Sequence, residues 1–258
     1  MNKRSGQWKN VMIKNAVSVL IAVAFLSALW VLAYALVENE LYVPSLKESV
    51  QQMAEILSKN SFWRAFFSTI SRVFIAFSIS FIFALAVAVI SYMVPWVGRI
   101  IAPIVSALRS LPALAILLLV LVWTNAGTAP IIVAFLSLFP MLEAGMYAAL
   151  CQTDKGLIEM SRIYNVSFQK RIVHLYLPAA APYALREVGA ALAFSLKLVV
   201  SAEILAATNF SLGGMMQEAR LYLEMPRLFA LVTISFFVGL ILELAAGALA
   251  HLAERRVK

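Results

Sequence analysis

Five ionisable side chains stand in stretches that are otherwise apolar: Arg72, Arg109, Glu143, Lys197 and Glu203. A charge in such a setting is costly, so it pairs inside a helix bundle or faces a polar path for solutes. Arg109, Glu143, Lys197 and Glu203 are the candidates for such a path. Lys197 and Glu203 are six residues apart, so on one helix they face different ways. Enzyme chemistry has less to work with. An intramembrane enzyme needs paired groups at one depth, such as Ser with Lys or His, or two Asp. Both histidines, His174 and His251, and the single aspartate, Asp154, fall in polar segments. No metal-ligand spacing occurs. No glycine-rich phosphate loop ending in Lys-Ser/Thr occurs either. The chain is not expected to be an enzyme, to hold a metal or to carry a cofactor of its own.

The elements that must position these charges are hydrophobic helices. Of 258 residues, 63% are apolar and 13% charged, and mean hydropathy is +0.90. A soluble domain cannot hide that much apolar surface, whereas about twenty apolar residues span a bilayer as a helix. Six spans are expected, at 16–37, 65–93, 100–124, 128–150, 183–207 and 227–250. The first follows a basic tail and contains Ala33-Tyr34-Ala35, which resembles a signal-peptidase site, but the run exceeds the roughly 7–15 apolar residues of a signal peptide. It is read as a retained span. The single cysteine, Cys151, excludes an intrachain disulfide and is read as a small apolar residue.

Lysine and arginine set the orientation. Thirteen fall in the N-terminal tail, the 94–99 and 151–182 loops, at Arg186 and in the C-terminal tail, against five in the opposite loops. Both termini are therefore expected in the cytoplasm. The organisation is a tail (1–15), a first span with an external amphipathic connector (16–62), a core (63–250) with the loop 152–182, and a second tail (251–258). Within the connector, Ser45 could cap a helix whose Val50, Met53, Ile56 and Leu57 fall at helical spacing and lie on the membrane surface. No segment is long enough for a soluble nucleotide-binding domain.

The most charged internal stretch is EMSRIYNVSFQKRIVHLYLP, 159–178. Thr153 or Asp154 can cap a helix running to Tyr164, with Leu157, Ile158 and Ile163 as its apolar side and Glu159 and Arg162 one turn apart. Asn165 stands where that helix must stop, and Asn tolerates the left-handed conformation better than any residue but Gly. Ser167 can cap a second helix, Phe168 to about Tyr176, with Pro178 and Pro182 punctuating the entry to the next span. The composition alone fits a solvated positive-inside loop equally well. The pattern describes a helix, a sharp turn and a second helix projecting into the cytosol.

This stretch resembles the cytoplasmic signature of binding-protein-dependent ABC importer permeases: Glu-Ala-Ala, three residues, Gly, nine residues, Ile-x-Leu-Pro. Here the same spacing reads Glu159-Met160-Ser161, Asn165, then Leu175-Tyr176-Leu177-Pro178. Met-Ser stands for Ala-Ala, Asn for Gly and Leu for Ile. Three further segments resemble the nitrate/sulfonate/taurine branch. They are FFSTISRVFIAF (66–77), with Ala76 where Gly is usual, LRSLPALAILLLVLVWTNAG (108–127), and VVSAEILAATNFSLGGMMQEA (199–219).

The resemblance implies an all-α integral membrane protein with six transmembrane helices and a cytoplasmic coupling helix. It implies a permease subunit of an ATP-driven importer in the bacterial cytoplasmic membrane. Its partners would be a cytosolic ABC ATPase dimer that binds the ATP and Mg, a second permease subunit forming a homodimer, an extracytoplasmic substrate-binding protein and membrane lipid. No nucleic acid is expected. Coupling to the ATPase would rest on Glu159, Ser161, Arg162, Asn165, Leu177 and Pro178. A positive residue in the path, Arg109 or Lys197, is mildly consistent with an anionic group on the small solute. The main rival is a secondary transporter that needs no ATPase, whose mark would be inverted repeats with broken helices.

Overall fold

The computed structural model describes residues 21, 24–25, 27–37 and 42–257. The 1–15 tail and the beginning of the expected first span lie outside the described residues, as do the side chains of Arg162, Arg186 and residues 249–258. The fold is a sequence of helices: α1 (Ser27–Val37), α2 (Leu46–Ser58), α3 (Asn60–Met93), α4 (Pro95–Ser110), α5 (Ala113–Trp123), α6 (Ala129–Cys151), α7 (Lys155–Ile163), α8 (Phe168–Arg171), α9 (Leu177–Leu205), α10 (Leu212–Leu221) and α11 (Met225–Val257).

Among the described residues, four helices are long and apolar enough to cross a membrane: α3, α6, the Glu187–Leu205 part of α9 and the Met225–Ala248 part of α11. They correspond to the spans expected at 65–93, 128–150, 183–207 and 227–250. The span expected at 100–124 is different. It is two helices, α4 and α5, bent by 98°. Leu111 precedes Pro112 and takes the extended conformation (ψ 129°) that a pre-proline residue prefers. Pro112 then opens α5 from the N-cap position. α5 has eleven residues and so reaches only about 16 Å, roughly half a bilayer core. α1 is the described part of the expected first span.

Bundle packing follows from residue size. Helices in lipid gain no hydrophobic drive from associating, so small residues that allow close approach form the seams. Ala76, Ala84, Ala88, Ala134, Ala180, Ala184 and Ala191 are buried on α3, α6 and α9, and these three helices pack against one another. The opposite face of α3 carries exposed Phe74, Ile75, Ile82, Phe83 and Ile90, suited to lipid. Two glycines mark the tightest contacts. A Cβ on Gly189 would come within 2.6 Å of the Glu243 carbonyl oxygen, so α9 and α11 touch backbone to backbone there. A Cβ on Gly145 would overlap the ring and hydroxyl of Tyr183, so α6 seats the Tyr183 ring against bare backbone.

The connector before α3 is a helix as expected, with the Ser45 Oγ accepting from the Glu48 N–H at 3.2 Å. It is more embedded than a surface connector. Ile56 is buried and Met53 packs against the main core, while Val50 and Leu57 are exposed. α2 rests on α11. On its outer side Lys59 Nζ lies 2.6 Å from Glu55 Oε1, and this hydrogen bond holds the Glu55 carboxyl below its usual range.

Gly145→Ala should destabilise the solubilised protein by about 1–3 kcal/mol, the usual range for overpacking a tight site. Gly145→Ala combined with Tyr183→Leu should recover most of that loss. Thermal unfolding in detergent reads both.

Candidate functional site

Two polar regions are set within this apolar frame: the loop after α6 and the charges inside the bundle. In the loop, Asp154 rather than Thr153 caps α7, because Asp154 Oδ1 accepts from the Gly156 N–H at 2.8 Å. Among the described residues the buried Thr153 hydroxyl has no hydrogen-bond partner. α7 ends as the sequence suggests. Asn165 has φ 48°, and the Val166 N–H reaches back to the Ser161 carbonyl at 2.9 Å, closing the left-handed turn that terminates a helix. The Ser161 hydroxyl donates to the Ile158 carbonyl at 2.7 Å. Glu159 is exposed, and the Arg162 side chain lies outside the described residues. Leu157, Met160, Ile163 and Tyr164 are exposed too, with Ile163 at 74%. α7 therefore shows apolar side chains to solvent.

Ser167 occupies the N-cap position of α8, but its side chain makes no capping hydrogen bond. The second loop helix does not stop before the prolines. α8 passes through a π-helical turn, Ile172–Tyr176, directly into α9. Pro178 lacks an N–H and would crowd the carbonyl four residues back in a regular helix. The wider π turn sits over those residues and accommodates it. Leu177 and Pro178 thus lie within one continuous helical rod, not at a boundary.

Of the intramembrane charges, Glu203 and Arg72 meet. Glu203 is 0% exposed, and Arg72 Nη1 donates to its Oε1 at 2.9 Å. The Thr69 hydroxyl lies 2.9 Å from Oε2, and the Gly213 N–H donates to the same oxygen at 3.1 Å. Thr69 Oγ1 in turn accepts from the Leu212 N–H at 2.9 Å. Arg72 Nε donates to the Gly127 carbonyl at 3.1 Å, and Thr208 Oγ1 to the Ala126 carbonyl at 2.7 Å. Glu203, one of the path candidates, lies near the end of α9 and directs its carboxylate at the first turn of α10, where free N–H groups and the helix dipole favour an anion. Gly213 is required for this. A Cβ there would lie 2.7 Å from the Ile204 nitrogen and the Val200 oxygen, and would overlap Glu203 Cβ.

The other charges are placed differently. Glu143 is buried in α6, with Arg109 as the cation that acts on it electrostatically. Arg109, in the last turn of α4, is exposed. Lys197 is exposed on a groove between α9 and α11. Tyr183, Glu187, Ala190, Phe194, Lys197 and Ser201 recur every three or four residues and share one face of α9. Glu187, toward its N-terminal end, lines a cavity with Asp154 and His174. Sequence reasoning missed Thr69, Gly127, Glu187 and Glu243. Of these, Glu187 was findable from its spacing to Lys197, ten residues on along one helix. Among the described residues, no group of three or more His, Cys, Asp or Glu could hold a metal ion.

Residues 80–258 match the profile of a family described as binding-protein-dependent transport system inner membrane component. The taurine transport system permease protein of Escherichia coli is 24% identical over 230 residues, covering 87% of this chain and 83% of that protein. A probable ABC transporter permease protein of Brucella melitensis is 31% identical over 183 residues, covering 69% and 72%. Among solved structures, a bacterial ABC transporter involved in import of the acidic polysaccharide alginate superposes with a TM-score of 0.65 at 13% identity, over 95% of this chain and 98% of the other. The MetNI methionine ABC transporter, in an inward-facing form, gives 0.61 at 19% identity over 74% and 95%. These two likenesses concern the fold.

Replacing Arg72 with Met strands the buried Glu203 carboxylate and should cost about 3–5 kcal/mol. The double variant Arg72→Met/Glu203→Gln should be more stable than Arg72→Met alone. Unfolding of the two in detergent, compared with wild type, checks this.

Proposed function

The chain belongs to the binding-protein-dependent transport system inner membrane component family, the permease subunits of ABC importers, and on that footing we propose how its parts share the work. Two copies form the path through the cytoplasmic membrane for a small solute. An external binding protein delivers the solute, and a cytosolic ATPase dimer supplies the energy. Both termini and the 152–182 loop face the cytosol. The taurine relative moves a sulfonate-bearing solute by name, and Lys197 in the open groove suits a solute with an anionic group.

The observation that carries this reading is the left-handed turn at Asn165, at the spacing of the signature, beneath a short helix with exposed apolar side chains. α7 is the part that docks on the ATPase, with Glu159 and Arg162 as polar contacts and Leu157 and Ile163 as apolar ones. Ser161 and Asn165 close the turn. Leu177 and Pro178 lie in the rod that continues into α9. When ATP draws the two ATPase subunits together, the docked helix–turn–helix moves as a body, and access to the path alternates. Arg109, Glu143 and Lys197 are the charges nearest that path. Glu203 holds the frame.

A β-branched residue at φ 48° is strained by about 1–2 kcal/mol. In the assembled transporter, Asn165→Val should lower uptake at least tenfold while the ATPase still hydrolyses ATP, and Asn165→Gly should restore uptake. Affinity purification of the tagged chain from its host should bring down an ATPase with a phosphate-binding loop. If none co-elutes even with vanadate-trapped ATP, an ATPase-independent transporter becomes the better reading.

A further inference from the structure

α9 and α11 leave an open groove of about 440 Å³ between them. Its walls are mostly apolar, with Leu196, Val200 and Val232 among them, yet Lys197 and Glu243 both line it. Both side chains are exposed. Among the described residues neither has an ion-pair partner. The Ser235 hydroxyl lines the same groove and is buried without a hydrogen-bond partner. Opposite charges and an unmet hydroxyl in an apolar groove at membrane depth are expensive unless something polar occupies it.

The two charges stand at different depths. Glu243 is level with Gly189, because a Cβ on Gly189 would lie 2.6 Å from the Glu243 oxygen. Lys197 is eight residues further along α9, roughly 12 Å up the helix axis. A second copy related by a two-fold axis along the bilayer normal keeps every residue at its own depth. It therefore leaves the roughly 12 Å offset in depth between Glu243 and Lys197 unchanged. A molecule lying along the groove can meet both.

We propose that this groove binds a small zwitterion, its anionic end at Lys197, its cationic end at Glu243, and the Ser235 hydroxyl beside its middle. The proposal rests on the importer reading and names the solute class for its path. The apolar walls lower the local dielectric beside the two charges and so strengthen both contacts. An anion without the cationic end uses only half of the site.

The test uses the purified full-length chain in lipid nanodiscs, with taurine as the zwitterion and ethanesulfonate as its singly charged counterpart. Calorimetry should show taurine binding at least tenfold more tightly. Glu243→Gln should bring taurine down to the ethanesulfonate level and leave ethanesulfonate unchanged. Lys197→Met should weaken both tenfold or more, and Lys197→Arg should keep both. Equal binding of the two probes, no binding of either, or variants that bind like wild type would overturn the proposal. So would Lys197→Met tightening the dimer, which would make the groove a subunit contact. Binding as expected in a chain that captures no ATPase leaves the site standing and removes the importer reading. Asn165-dependent uptake without a preference for taurine does the reverse.

Discussion

In a bilayer every buried polar group must find its partner inside the protein. That rule is concentrated at the Glu203 carboxylate. It is fully buried and is met by a guanidinium, a hydroxyl and a backbone N–H. Those donors come from α3 and α10, and Arg72 also holds the turn before α6 through Gly127. One carboxylate thus ties the outer ends of separate helices that otherwise touch through alanine and bare backbone. An apolar seam fixes distance poorly because it is non-directional. A hydrogen-bonded ion pair fixes angle as well. The bundle has both kinds of contact, and they hold different degrees of freedom.

The long apolar helices were legible because an uncharged run of twenty residues has few alternatives in water. The turn at Asn165 was legible because few residue types accept a positive φ. The knot at Glu203 was only half legible. A carboxylate in an apolar run announces a partner, but the partners are 131 and 134 residues away at Arg72 and Thr69, plus a backbone amide that has no sequence identity at all. The Gly213-Gly214 pair was the available hint, since adjacent glycines before a helix often mark a close approach. The break at Leu111-Pro112 has a local cause in the proline, but its 98° size does not. Proline fixes one dihedral, while the packing of α5 against α6 decides the rest. The continuity from α8 into α9 was hidden because prolines read as stops, and a π turn is a tertiary accommodation that no local pattern announces.

α7 and the stripe on α9 obey opposite rules. α7 shows apolar residues to water, and α9 shows charged ones where lipid or another helix would be expected. Each is costly for an isolated chain. A subunit that works only in an assembly carries such features at its contacts, and in this chain they lie on two connected elements instead of being scattered.

That connection has a mechanical consequence. From Leu177 to Leu205, α9 is one helix, and Glu203 near its far end is clamped. Leu177 lies 26 residues from Glu203, about 39 Å along the axis, and Lys197 lies six residues from it, about 9 Å. If the clamp acts as a fulcrum, a tilt of about 10° swings the Leu177 end by about 7 Å, whereas Lys197 shifts by less than about 2 Å. α9 is then a lever pivoting near Glu203, with Leu177 far from the pivot and Lys197 close to it. Coarse motion at Leu177 is geared down to a fine adjustment of the lysine beside the pivot.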